Sequence, residues 1–133
     1  MSKAVIYTVN SQSTTVNAGG NIGIGSMVRR YGCIGLLDAN TVQVTETGYY
    51  DVDLNVDFTS TAGLVTIKLL QDGVPIAGAV VTRTVVTATN YAVTIPAMIR
   101  VFCGKSSKIT AVVDAASTAT PTFTNVALKV VKV

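Results

Sequence analysis

The chain has 133 residues, of which 13% are charged, with a net charge of +3 and no histidine. That length fits one domain able to build its own core without staples. The scattered basic residues exclude the dense basic face of a nucleic-acid binder, and no run reaches the roughly 18 apolar residues of a membrane span.

Hydrophobic residues make up 49%, and the mean hydropathy is +0.51. Soluble domains average about 25% charged residues. Either Thr, Ser and Asn supply the polar surface, or neighbouring subunits cover much of the outside. We take the second as the working expectation. Val and Thr dominate the composition, and both suit a pleated strand better than a helix. The start, Met1-Ser2-Lys3, runs into a strand-like segment with no apolar signal region. The expectation is synthesis in a cytoplasm, without secretion by the general route.

Alternating polarity predicts the elements in chain order. Residues 4–9 read as a first strand. Residues 12–25 are rich in Ser, Thr, Asn and Gly and read as a long connection with a short strand at 14–17. An apolar run covers 31–37, and 41–46 alternates, with Val42 and Val44 on one face. The clearest strand spans 49–58. There Tyr50, Val52, Leu54, Val56 and Phe58 point one way, and Asp51, Asp53, Asn55 and Asp57 the other. Residues 65–70 follow, with Val65, Ile67 and Leu69 inward. Asp72-Gly73 supplies the positive φ of a tight hairpin. Further strands are expected at 76–89, 91–95, 99–102, 108–113 and 126–133. No segment shows a capped 3.6-residue period. Many short strands with regular turns predict an all-β sandwich or jelly roll, in one domain over 1–133.

Both terminal strands are apolar on both faces, as covered strands are. One face meets the partner sheet, and the other is expected to meet another subunit. Val5, Tyr7, Val9, Leu128, Val130, Val131 and Val133 are therefore the candidate interface residues.

Little points to chemistry. Without histidine there is no histidine base and no triad of the usual kind. The glycine-rich stretch 19–25 lacks the Lys-Ser/Thr of a phosphate loop. Cys33 and Cys103 have no metal spacing and read as two reduced, buried thiols. Asp51, Asp53, Asn55 and Asp57 share one strand face but do not converge as a calcium site requires. They read as a solvated stripe. Arg29 and Arg30 read either as a solvated loop or as a contact with an acidic neighbour, with Asp51, Asp53 and Asp57 as candidate partners across an interface. No catalytic residue, metal ligand or cofactor is expected.

The run Thr41-Val-Gln-Val-Thr-Glu-Thr-Gly-Tyr-Tyr-Asp-Val-Asp-Leu54 resembles the strand–turn–strand of the tumour-necrosis-factor and complement-globular-head superfamily. The run Val65-Thr-Ile-Lys-Leu-Leu-Gln-Asp-Gly-Val-Pro-Ile-Ala-Gly-Ala79 is similar to the segment that follows in bacterial and phage members. The glycine-rich 17–25 stretch and the few aromatics depart from animal members, so animal ligand functions are not carried over. The resemblance implies an all-β antiparallel jelly-roll sandwich of about ten strands, packed as a tight trimer with the first and last strands near the threefold axis. For a small member of this Thr/Val/Ala-rich style it implies a virion protein of a tailed phage: a capsid decoration or a head or tail fibre domain. Its partners would be its own copies and other virion proteins. A receptor-binding adhesin tip of the same fold, touching the host cell surface, is the alternative. An RNA-phage-like coat protein fits the length but not the missing helices and dense basic face.

Overall fold

The computed structural model describes residues 3–133. Among them eleven strands form, and no helix. They are β1 (Val5–Asn10), β2 (Thr14–Thr15), β3 (Ser26–Tyr31), β4 (Ile34–Asp38), β5 (Thr41–Val44) and β6 (Gly48–Ser60), then β7 (Gly63–Gln71), β8 (Val74–Val85), β9 (Tyr91–Val101), β10 (Ser107–Val113) and β11 (Pro121–Lys132). One sheet has the order β3-β1-β11-β6-β9, with β2 added to β11, and the other runs β4-β5-β10-β7-β8. Every neighbouring pair is antiparallel. The two sheets close over one contiguous apolar cluster. This is the expected jelly-roll sandwich.

The alternation in β6 decides how the sheets face. Tyr50, Val52, Leu54, Val56 and Phe58 all lie in the core, while Asp51, Asn55 and Asp57 are exposed and Asp53 half-exposed. From β7 the core takes Val65, Ile67 and Leu69. Phe58 stacks on Tyr91 with ring centroids 5.7 Å apart and tilts against Phe123 at 5.6 Å. Tyr50 keeps its ring in the core and donates its hydroxyl to the Glu46 carbonyl at 2.7 Å. Burial, with help from the nearby Glu46 charge, raises the pKa of that phenol.

Several expectations change in detail. The apolar run 31–37 is broken into the end of β3 and the start of β4 by Gly32, whose φ is +84°. A Cβ there would collide with the Lys3 carbonyl oxygen. Arg29 and Arg30 lie within β3 and not in a loop. The segments 91–95 and 99–102 fuse into one strand through Pro96, because β9 is an edge strand, where proline is tolerated. The Asp72-Gly73 turn is as expected, with φ of 52° and 79°, the pattern of a type I′ hairpin.

The connection 11–25 is not an adaptable loop. Val16, Ile22 and Ile24 are buried in the core. Gly19 N–H donates to the Val113 carbonyl at 2.8 Å, and Ile22 N–H to the Ala111 carbonyl at 2.8 Å. The segment is laced along β10, past the residues that pair with β5. Gly25 carries a φ of +81°, and a Cβ on it would collide with the Val9 carbonyl oxygen. Gly25→Ala is therefore expected to lower stability by more than about 1 kcal/mol, read as a shifted urea midpoint. The loop 114–120 is tied down too. Asp114 pairs with Lys68 at 2.6 Å, and its carboxyl pKa is lowered by that hydrogen bond. The Thr118 hydroxyl accepts the Leu64 N–H at 2.8 Å.

Cys33 and Cys103 are free, but both are exposed and not buried. The reason is position. Cys33 occupies the β3–β4 turn and Cys103 the β9–β10 turn, beyond the reach of the core. Both thiols are thus expected to react with a thiol reagent in the native protein, without denaturant or reductant. Slow labelling that accelerates only on unfolding would show them covered.

Candidate functional site

The face of the six-stranded sheet turned away from the core gathers most of the sequence-predicted contact residues. Strand register places them in rows across the sheet. Tyr31, Val5, Val131, Asp51 and Met98 form one row. Arg29, Tyr7, Lys129, Asp53 and Pro96 form the next. Val9, Ala127, Asn55 and Thr94 form the third. The face therefore grades from apolar and basic residues on β3, β1 and β11 to acidic residues on β6.

Val5, Val9 and Val131 are half-buried there, Tyr7 is partly exposed, and Val133 is 67% exposed. Leu128 and Val130 do not belong to this surface. They are 1% and 0% exposed and fill the core of their own chain. Period-two alternation sends Leu128 and Val130 inward, while Lys129 and Val131 stay outward. The expected interface loses these two residues and gains Tyr31 and Met98, both well exposed. Tyr31 began an apolar run, and Met98 sat between two predicted strands, so neither could be given a face before the register was known.

Charge is divided in the same way. Lys129 reaches Asp53 at 3.8 Å, an exposed pair of the kind worth about 0–1 kcal/mol. Asp51 and Asp57 have no ion pair among the described residues. Arg29 shares this face but lies three strand spacings from β6, about 14 Å at the usual separation. It cannot meet the aspartates within one chain. Arg30 is different. It is opposite Ile6 in the ladder, and its guanidinium donates to the carbonyls of Gly32 and Ile34 at 2.8 and 3.1 Å. Arg30 braces the β3–β4 turn and is not paired with the aspartate stripe. A shallow depression of about 400 Å³ opens at the centre of the face, lined by Tyr7, Asp53, Asn55, Thr94, Ala127 and Lys129.

A second exposed group lies at the end of the sheet that carries residue 133. The Arg100 guanidinium stands 4.5 Å from the Phe102 ring centroid and 5.6 Å from that of Tyr49. Gln71 donates its side-chain amide to the Arg100 carbonyl at 3.0 Å. Exposed Arg–aromatic stacks are enriched among the energetically dominant residues of interfaces. Sequence reasoning missed this group because Tyr49 lies on β6 while Arg100 and Phe102 lie at the end of β9, and only the strand register brings them together.

No group of three or more His, Cys, Asp or Glu that could hold a metal ion occurs among the described residues. Among the same residues no helix is long and apolar enough to cross a membrane.

No protein-family model and no curated protein matches the chain. Solved structures do. The globular domain of zebrafish complement 1qA superposes with a TM-score of 0.73 at 8% identity, covering 99% of this chain and 98% of that one. Murine APRIL gives a TM-score of 0.69 at 17% identity, covering 99% of this chain and 100% of its own. The Eiger TNF of S. frugiperda gives 0.62 at 11% identity, covering 98% and 91%. At these identities the likeness is one of fold: this chain carries the two-sheet jelly roll of the complement-head and tumour-necrosis-factor structures.

Proposed function

We propose that the chain is a virion structural protein of a tailed bacteriophage, a homotrimeric capsid decoration or head or tail fibre domain that acts by protein–protein contact. The supporting observation is the exposed face of the six-stranded sheet. It combines half-buried Val5, Val9 and Val131, the rings of Tyr7 and Tyr31, and Asp51, which has no ion pair among the described residues. A face of this kind suits a second copy, whose Arg29 could approach Asp51, which the first copy's Arg29 cannot reach. Contacts of about 1,000 Å² or more are the expected basis of function. The protein would assemble in the host cytoplasm and reside on the particle, bound to other virion proteins, with no enzymatic activity and no cofactor. Mass spectrometry of purified phage particles tests this. The protein should be present at a copy number divisible by three. Its absence from particles, together with an abundant free form that turns over a small molecule, would overturn the reading.

A second reading, a receptor-binding tip of the same fold, is favoured by a polar cleft at the opposite end of the sheet from residue 133.

A further inference from the structure

We infer that this cleft is a binding site for a neutral carbohydrate, recognised through its hydroxyl groups. The inference rests on the receptor-binding reading and not on trimer formation or on residence in a virion.

The cleft has a volume of about 330 Å³ and is lined by Asp57, Asn90, Tyr91, Ala92 and Thr124. That is the lower end of the range for small-molecule sites. Its lining has the chemistry that hydroxyl recognition needs. The Asp57 carboxylate only accepts hydrogen bonds, so it can take protons from two neighbouring hydroxyls. The Asn90 amide both donates and accepts. Ala92 supplies apolar wall for the C–H face of a sugar ring, while the Tyr91 ring, opposite Phe58 in the ladder, is turned inward against the core.

These groups are held in place before any ligand arrives. Tyr91 is stacked on Phe58, and its hydroxyl accepts the Val86 N–H at 2.8 Å. Thr124 occupies a break in the β11–β6 register between Phe123 and Asn125. Bulges of this kind re-aim a side chain and concentrate beside functional sites. The Thr124 hydroxyl donates to the Asp57 carbonyl at 3.2 Å, which ties the bulge to β6. Asp57 itself is exposed and has no ion pair among the described residues. Its charge is available to a ligand.

The same chemistry selects among ligands. One carboxylate with an amide and a hydroxyl falls short of the six to eight oxygens calcium takes. A carboxylate at the centre of the site repels acidic sugars and phosphates. Neutral hexoses and N-acetylhexosamines remain.

The test is a titration of isotope-labelled protein, followed by amide NMR, with galactose, glucose, mannose, N-acetylglucosamine and sialic acid, each to about 10 mM, enough to see a millimolar Kd. At least one neutral sugar should shift the amides of Asn90, Tyr91 and Thr124, without added calcium, and sialic acid should not. Asp57→Asn should weaken that binding at least about tenfold, a change of about 1.4 kcal/mol, and should leave the rest of the spectrum unchanged. Three results overturn the inference: no neutral sugar binds, binding needs calcium, or the shifts fall elsewhere. A parallel pull-down of host cells with the same protein separates the two ideas. Cell binding that survives in Asp57→Asn, with no sugar bound, sinks the carbohydrate site and leaves the receptor-binding reading standing. Sugar binding at the cleft without cell binding sinks the receptor-binding reading instead.

Discussion

Phe58→Ala is expected to cost about 3–5 kcal/mol of folding stability, the usual range for a fully buried phenylalanine. Phe58 is 0% exposed and is the ring that both Tyr91 and Phe123 pack against. Truncation removes the transfer free energy of the ring, opens a cavity between the sheets, and ends two aromatic contacts at once. Domains of this size are stable by only about 5–15 kcal/mol. A large share of the molecules should therefore be unfolded at temperatures the parent tolerates. Leu54→Ala should cost about 2–5 kcal/mol for the same reason. The outward neighbours behave differently. Asp53→Ala loses one exposed contact with Lys129 and should cost no more than about 1 kcal/mol. Urea denaturation at a fixed protein concentration reads all three. If Asp53→Ala proved more damaging than Leu54→Ala, the assignment of the two faces of β6 would be wrong.

Val131→Glu should break the assembly while leaving the fold of each chain intact. Val131 is half-buried on the outer face, between Val5 on one side and Asp51 on the other. In a separate chain the new carboxylate can turn to water. Under a neighbouring subunit it would be buried without a partner and beside a like charge, at a cost of several kcal/mol. That predicts at least about a 100-fold loss of association, equivalent to about 2.7 kcal/mol. Light scattering at micromolar concentration should show trimer for the parent and monomer for the variant, with the same far-ultraviolet circular dichroism. A parent that is a well-folded monomer under those conditions, or a variant that stays trimeric, would dispose of the trimer.

Single-residue changes on this sheet thus separate stability from assembly, because neighbouring positions on one strand face different surroundings. The same principle explains which expectations needed correction. Leu128 and Val130 looked like interface residues because β11 reads as apolar on both sides. Only the pairing of Leu128 with Leu54, and of Val130 with Val52, shows that both belong to the inward layer. Arg29 and Arg30 are adjacent in sequence, yet one lies on the outer face and the other reaches back to the carbonyls of Gly32 and Ile34. Cys33 and Cys103 looked like core residues by type, but each occupies a turn.

By itself the sequence determined the all-β class, the Asp72-Gly73 hairpin and the two faces of β6. Each depends on local chemistry: β-branched composition, positive φ at a turn, and the two-residue period of a strand. Only the tertiary structure decided what those faces look onto. The ordering β3-β1-β11-β6-β9 brings residues over 100 positions apart, such as Tyr7 and Lys129, side by side. It also makes the glycine-rich stretch part of the core, through Ile22 and Ile24. The cleft around Asp57 draws its walls from β6, the β8–β9 turn, β9 and the β11 bulge. Long-range pairing carries no short-range signature, so neither that surface nor that cleft could be read along the chain.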